Sequence, residues 1–135
     1  MLDVRKLLTR RPLLFDGGMG TYYKAKPGQE CEQANLTDPE GILAVHRAYL
    51  AAGADAIKTN TFSLPRLAAA QQPGWEQLAD AGWQLAAKAA GETGAAVFAD
   101  LAPHRIPRTT RQSRCILPWQ GALHCWAHGI FCSRP

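Results

Sequence analysis

Asp16, Gly17 and Gly18 are the residues whose types and spacing most directly suggest chemistry. Two consecutive glycines let the backbone approach a ligand closely and present N–H groups to an anion. The carboxylate beside them offers a partner for a cation, so the three residues together suit a zwitterion such as an amino acid. A tight turn that simply needs glycine explains them equally well. The segment does not match a dinucleotide fingerprint, and no Gly-Lys-Ser/Thr follows to form a nucleotide-phosphate loop.

Other polar residues stand where short apolar runs end. Asp16 follows the first run, Thr59 and Asn60 end the second, and Asp100 follows the third. In parallel α/β sheets, sites form at the carboxyl ends of the strands. The pattern therefore predicts that these four side chains surround one mouth, although each could equally cap its own loop.

The elements that would position these residues alternate along the chain. Residues 13–15 and 95–99 are apolar runs and residues 56–62 begin with one, so all three predict strands, and two amphipathic stretches between them predict helices. The order β-α-β-α-β with continuous apolar strands predicts a parallel sheet covered by helices, an α/β fold. A (β/α)8 barrel and a doubly wound open sheet both fit, because the spacing of the strands does not separate them.

Local signals predict where these helices begin and end. Thr37 or Asp38 can cap the first long helix, Pro39 suits its first turn, and Gly53 fits the position after its end. We expect a surface helix in residues 1–12, a long polar loop over 19–37, and a short helix over 66–72. A longer helix from Trp75 closes near Gly91 or Gly94.

The net charge of +4 comes entirely from the end of the chain. Residues 1–102 carry ten Lys or Arg against eleven Asp or Glu, whereas residues 103–135 carry five Arg and no acid. The tail also holds three of the four cysteines and three of the four histidines. We therefore predict a domain over 1–102 and a separate tail over 103–135. The chain has no apolar run of about 20 residues and no secretory signal pattern, so we expect a cytoplasmic protein without membrane contact.

Several segments in order resemble the homocysteine-binding domain family of homocysteine S-methyltransferases. They are Leu14 to Thr21, Glu32 with Ala34 to Thr37, Pro39, Val45-His46 to Tyr49, Ala51 to Asp55, and Lys58 to Phe62. The resemblance implies that the chain forms about three β/α units of a TIM (β/α)8 barrel. It also implies that homocysteine binds at the barrel mouth, with Asp16 on its amino group, Gly17 and Gly18 near its carboxylate, and Thr59 and Asn60 lining the floor.

The resemblance further implies a zinc ion that binds the homocysteine sulfur as thiolate, which then takes a methyl group and gives methionine. A metal lowers the pKa of a thiol, which is about 8.5 when free, and so makes a nucleophile at neutral pH. The family uses several methyl donors, including methylcobalamin, betaine and S-methylmethionine. Cobalamin, folate or reductase domains are fused to some members, and such domains are possible partners here.

The sequence departs from this pattern at the metal. The family's zinc ligands are three cysteines, two of them adjacent and late in the barrel, and this chain has no Cys-Cys pair. We therefore expect no zinc ligand carried over from the family and no activity from the chain itself. Cys31 is expected to be a free thiol or a loop residue, and His46 a packed or partly exposed residue of the first long helix.

The tail allows three interpretations. Its Cys, His and Arg residues could form a small metal module or a basic nucleic-acid arm, which would make the chain a non-enzymatic binding protein. The cysteine spacing does not match zinc modules, and nucleic acid is not the expected partner. An out-of-frame or disordered tail fits the abrupt change in composition best.

Overall fold

The computed structural model describes residues 3–25 and 27–103, and the predictions made for the tail lie outside them. Its helices and strands follow the chain as α1 (Val4–Leu8), α2 (Met19–Tyr23), a 3₁₀ helix (Cys31–Gln33), α3 (Ala34–Thr37), α4 (Pro39–Ala51), β1 (Ala56–Lys58), α5 (Leu64–Ala69), α6 (Trp75–Thr93) and β2 (Ala96–Phe98). No helix in these two ranges is both long and apolar enough to cross a bilayer. The fold is a helix-rich α/β structure with a small parallel sheet.

The sheet pairs β1 with β2 in parallel, with Lys58 opposite Phe98. The strand predicted over 13–15 is reduced to a single parallel bridge between Phe15 and Ala56. Its backbone still pairs on both sides of the bridge, because Leu14 O accepts from Ala56 N and Asp16 N donates to Ala56 O. The ladder ends there because the next donor, Lys58 N, bonds to the Asp16 side chain instead of to backbone. The prediction was therefore right in place and direction but wrong in length.

Helix α4 is capped by Asp38, whose carboxylate accepts a hydrogen bond from Gly41 N at 3.1 Å. Thr37, the other predicted cap, instead ends α3, and its hydroxyl donates to Gln33 O. Asp38 is the better cap here because Pro39 occupies the first helical position. Gly53 lies just past the helix end with φ +100°, as predicted, since that backbone conformation favours glycine.

Helices α4 and α6 pack together over one face of the sheet. Ile57 is fully buried and belongs to a cluster with Leu43 and Leu50 of α4 and with three alanines of α6. Alanine side chains bring α6 close to the sheet, and Gly82 brings it close to α3, because a Cβ there would lie 2.7 Å from Asn35 Nδ2. Glycine 94 ends the helix at φ +77°. The periodic patterns predicted for both helices are confirmed.

Three further predictions about local structure were wrong. The polar loop expected over 19–37 contains α2, the 3₁₀ helix and α3. Glu32 and Asn35 in it are 3% and 2% exposed, because their side chains bond to backbone groups of the segment after β1. That segment is itself not strand, so β1 stops at Lys58 rather than at residue 62. Helix α5 covers Leu64–Ala69 instead of 66–72, with Pro65 in its first turn.

Candidate functional site

Asp16 is placed by the sheet rather than by a loop. Its backbone N–H closes the last ladder bond with Ala56 O, and its carboxylate Oδ2 accepts a hydrogen bond of 2.9 Å from Lys58 N. One oxygen of the carboxylate thus takes the place of a backbone carbonyl as the acceptor for the last N–H of β1. This contact fixes the direction of the side chain and leaves the second oxygen, Oδ1, for another partner.

The Asp16 side chain is only 3% exposed, and Oδ1 has no hydrogen-bond partner among the described residues. The nearest cation is Lys58, whose Nζ lies 3.9 Å from Oδ1. Burial raises the pKa of Asp16 above its usual value, and the nearby Asp100 adds to this, whereas the Lys58 backbone N–H and ammonium act to lower it. A buried acceptor without a donor is rare in folded proteins and calls for a partner such as water, an ion or a ligand.

Asp100 stands at the same edge of the sheet and is fixed through its backbone. Its N–H donates to Thr59 Oγ1 at 3.1 Å, and its carbonyl accepts from Thr61 Oγ1 at 2.8 Å. The two threonine hydroxyls are 2.5 Å apart, so they form a continuous chain. The Asp100 carboxylate remains free of this chain and lies 4.0 Å from Lys58 Nζ.

Asn60 joins the segment after β1 to the segment before α4. Its Nδ2 donates to Asn35 Oδ1 at 2.8 Å and to Cys31 O at 3.0 Å. Asn35 Nδ2 in turn donates to Asn60 O and to Leu78 O of α6. Both amide groups therefore use their N–H donors inside the fold. A role for Asn60 as a substrate contact stays a prediction.

A cavity of about 530 Å³ opens beside these residues. Its walls come from the segments that follow the Phe15 bridge, β1 and β2, and they include Gly18, Thr59 and Asn60 of the predicted site. The lining residues are Gly18, Met19, Gly20, Ala25, Gly28, Gln29, Glu30, Cys31, Glu32, Thr59, Asn60, Phe62, Ser63 and Asp100. Asp16 and Gly17 are not among them. The structure thus brings three of the five predicted residues to the cavity wall and connects Asp16 to it through Lys58 and Asp100.

Two acidic residues in the cavity wall have bonding partners inside the fold, and a thiol beside them favours its neutral form. Glu32 accepts a 2.6 Å hydrogen bond from Ser63 N, and Glu30 pairs with Arg66 at 2.6 Å. Cys31 is a free thiol, as predicted, and its pKa is raised chiefly by burial and then by the charge of Glu32. A raised pKa means that Cys31 is a poor nucleophile at neutral pH.

The reason for Gly17 is visible in its packing. A Cβ at this position would lie 2.6 Å from the Tyr49 hydroxyl and 3.0 Å from two ring atoms, whereas a Cβ at Gly18 would make an ordinary contact of 3.4 Å with Thr21 Oγ1. The Tyr49 hydroxyl also donates to Gly18 O at 3.4 Å. Neither glycine has a positive φ. Close approach of α4 therefore requires glycine at Gly17 whether or not a ligand binds nearby.

We expect Gly17→Ala to lower the free energy of unfolding by about 1–3 kcal/mol, the usual cost of overpacking a filled space. Gly18→Ala, the matched control, is expected to change it by less than about 0.5 kcal/mol. Urea denaturation of the two variants beside the wild type measures both values. Equal losses in the two variants would contradict a steric role for Tyr49.

The described residues do not fit a zinc ion. No group of three or more His, Cys, Asp or Glu side chains among residues 3–25 and 27–103 is arranged to hold a metal. Cys31 lies in the cavity wall, but its raised pKa disfavours the thiolate that zinc binds. We therefore assign no metal ligand in this part of the chain.

Lys58 is the site residue that the sequence analysis did not single out. It lies in a strand of three residues, opposite Phe98, and its ammonium reaches both Asp16 and Asp100. The available signal was a lysine inside an apolar run, directly before the polar residues Thr59 and Asn60. A charged residue at such a position needs a partner, and the sequence offered two carboxylates at neighbouring strand ends.

Comparison with known proteins identifies similar sequences. A family model described as homocysteine S-methyltransferase matches residues 13–113. A methionine synthase of Mycobacterium tuberculosis (strain ATCC 25618 / H37Rv) is 39% identical over 69 residues, which cover 44% of this chain and 6% of that protein. The family match includes every residue of the predicted site and continues past residue 102, so the domain boundary there stays a prediction.

Proposed function

The chain belongs to the homocysteine S-methyltransferase family, and from that premise we propose that its described part is the homocysteine-binding end of a methyltransferase that makes methionine. The substrates are homocysteine and a donor with an electrophilic methyl group. The chain spans about 6% of the length of the methionine synthase that it matches. The activity of the intact protein is therefore part of the proposal.

One observation carries the assignment of the substrate. The Asp16 carboxylate is almost completely buried, it is held by Lys58 N through one oxygen, and its other oxygen has no donor among the described residues. An ammonium group supplies the missing donor and the positive charge together. We therefore assign the amino group of homocysteine to Asp16 Oδ1.

The rest of the amino acid would lie along the glycine segment and the cavity. Gly17 and Gly18 precede α2 and offer backbone N–H groups to the substrate carboxylate, while Thr59 and Asn60 support the floor from below. A cavity of about 530 Å³ is within the size range of small-ligand sites. The side chain carrying the sulfur then points away from Asp16, toward the part of the mouth where the methyl donor would approach.

We also propose that the sheet is part of a (β/α)8 barrel. The Phe15 bridge, β1 and β2 are parallel neighbours in chain order, and the connecting helices α4 and α6 cover the same face of β1. On the opposite face the rings of Phe15 and Phe98 lie 5.0 Å apart. Strands in sequential order with helices on the outside are the arrangement that a barrel repeats around its axis.

Zinc activation of the substrate thiol remains an implication of the family resemblance. No step proposed here passes through a metal, because the described residues do not form a site for one. The sequence also lacks the adjacent cysteines that the resemblance requires for zinc. We therefore propose that the 135-residue chain binds homocysteine without methylating it.

Calorimetry with L-homocysteine and with its analogue lacking the amino group tests this proposal. We expect the purified chain to bind homocysteine and the analogue to bind at least about tenfold more weakly, because it cannot satisfy Asp16. Methionine formation, measured in the same samples with zinc and each candidate donor, is expected to be absent. Equal binding of both ligands would contradict the role of Asp16, and methionine formation would contradict the proposed inactivity.

A further inference from the structure

Lys58 holds an unusual position between two carboxylates. Its Nζ lies 3.9 Å from Asp16 Oδ1 and 4.0 Å from Asp100 Oδ2, and 35% of its side chain is exposed. Both distances exceed the length of a hydrogen bond, which is about 2.7–3.2 Å for N–H···O. The ammonium is therefore shared electrostatically by two acceptors and bonded tightly to neither.

The fold explains why the lysine reaches this place. Ile57, its neighbour in β1, points into the helix-covered core, so Lys58 projects from the opposite face of the sheet. Phe98, its partner in the register, contacts Phe15 on that face. A lysine on an aromatic face has no packing advantage over an apolar residue, and the two carboxylates supply the reason for its charge.

The other charged groups near the cavity do not compete for Lys58. Glu30 is paired with Arg66, and Glu32 accepts from Ser63 N. Cys31 favours its neutral form. The balance at this edge of the sheet is therefore set by three groups, two carboxylates and one ammonium.

We propose that Lys58 is a positioning residue of the amino-acid site: its ammonium balances Asp16 in the empty site and passes to Asp100 when the substrate ammonium takes the free oxygen of Asp16. This inference rests on the proposed function, since it names the residue that holds the homocysteine site ready. The transfer needs only a rotation of the lysine side chain, because Asp100 lies at nearly the same distance as Asp16, 4.0 Å against 3.9 Å. Binding then completes the charge balance, because each of the two carboxylates faces one ammonium.

Two substitutions act on this balance in opposite directions. Lys58→Met keeps most of the stem but removes the charge, so Asp16 is left buried beside Asp100 and takes up a proton more readily. Asp100→Asn removes the second acceptor, so Lys58 remains on Asp16 and competes with the substrate ammonium. Lys58→Arg keeps the charge and serves as the conservative control.

The experiment measures two quantities on the full chain and its three variants. The first is the titration of Asp16, followed by the NMR signal of its ¹³C-labelled carboxyl group and assigned with Asp16→Asn. The second is the dissociation constant for homocysteine at about pH 5, nearer to the range in which carboxyl groups take up a proton, and at about pH 8, where carboxyl groups are ionised. Far-ultraviolet circular dichroism confirms that each variant is folded.

In Lys58→Met we expect Asp16 to titrate at higher pH. Homocysteine should bind roughly tenfold more weakly at the lower pH, the effect of losing a neighbouring opposite charge, and no more weakly than to wild type at the higher pH. In Asp100→Asn we expect Asp16 to titrate at lower pH and homocysteine to bind several-fold more weakly at both pH values. Lys58→Arg should leave the titration of Asp16 as it is in wild type.

An unchanged Asp16 titration in folded Lys58→Met would overturn the inference, and so would equal loss of binding at both pH values in that variant. If wild type binds no homocysteine at any pH, the proposed function fails and the transfer to Asp100 fails with it. The Asp16 titration would in that case still report whether Lys58 balances its charge, so the two failures are distinguishable.

Discussion

Asp16→Asn is expected to weaken homocysteine binding by about 100-fold or more without destabilising the fold. Removing one partner of a desolvated charge pair costs about 2–5 kcal/mol in binding, because the ligand ammonium enters the same space without its counter-charge. The asparagine oxygen can still accept the hydrogen bond from Lys58 N, so the contact that ends the sheet ladder is preserved. The loss should therefore appear in affinity alone.

The effect on stability should have the opposite sign. Burial raises the pKa of Asp16 above its unfolded value, so the folded state binds its proton more strongly, and this contribution to stability is lost as the pH rises through the folded pKa. At neutral pH the ionised, buried carboxylate is thus a cost to folding that asparagine does not carry. We expect the variant to unfold at the same or a higher urea concentration than wild type.

Asp80→Asn is the matched control, because Asp80 is an exposed residue of α6 outside the cavity wall. Calorimetry should give the wild-type affinity for this control, and urea denaturation should give nearly the wild-type stability. Replacing a buried charged residue of a site often stabilises the protein, because function keeps the charge there at a cost in stability. If Asp16→Asn kept its affinity for homocysteine, the assignment of the amino group to Asp16 would be wrong.

The second large effect is a loss of folding stability at low pH that comes from His46. His46 lies on the buried stripe of α4 and is 0% exposed, and neither of its ring nitrogens has a hydrogen-bond partner among the described residues. Burial lowers its pKa from 6.5 to about 4. The folded protein therefore holds the ring neutral in a pH range where the unfolded chain would protonate it.

The sign of the pH dependence follows from that lowered pKa. The contribution of His46 to stability is fully present above pH 6.5 and is lost as the pH falls toward 4, where the loss reaches about 3 kcal/mol. The pKa of Asp55 is lowered from 3.8 to about 2, chiefly by its hydrogen bond with Arg11. Its contribution to stability is therefore lost only as the pH falls below about 3.8. The two residues thus affect stability in different pH ranges.

We expect His46→Leu to remove this dependence. The difference in free energy of unfolding between variant and wild type should grow in favour of the variant by about 2 kcal/mol between pH 7 and pH 5, because only the wild-type unfolded chain gains a proton at residue 46 while the folded state keeps the ring neutral. Urea denaturation at the two pH values measures that difference, and the titration of Asp16 cancels since both proteins contain it. A difference that stays constant would mean that His46 is solvated or paired in solution.

Much of the fold was accessible from the residues alone. Apolar period and helix caps predicted α4 and α6, because a helix that buries one stripe must repeat it every three or four residues. The parallel order followed from apolar strands alternating with helices, and Gly53 marked the end of α4. The family was indicated by short segments in a fixed order, which are specific in combination.

The sequence by itself also determined which polar residues stand at the strand ends, since side chains that follow buried strands must emerge at one edge. Only the tertiary structure decided what each of them does. It used the donors of Asn60 to hold Asn35 and Cys31, turned the residues after Lys58 out of the strand, and filled the space beside Gly17 with Tyr49. These outcomes depend on contacts between residues distant in the chain, and no local pattern records which partner a buried polar group will find. For the same physical reason Lys58 was overlooked: its charge acquires meaning only when folding brings Asp16 and Asp100 to either side of it.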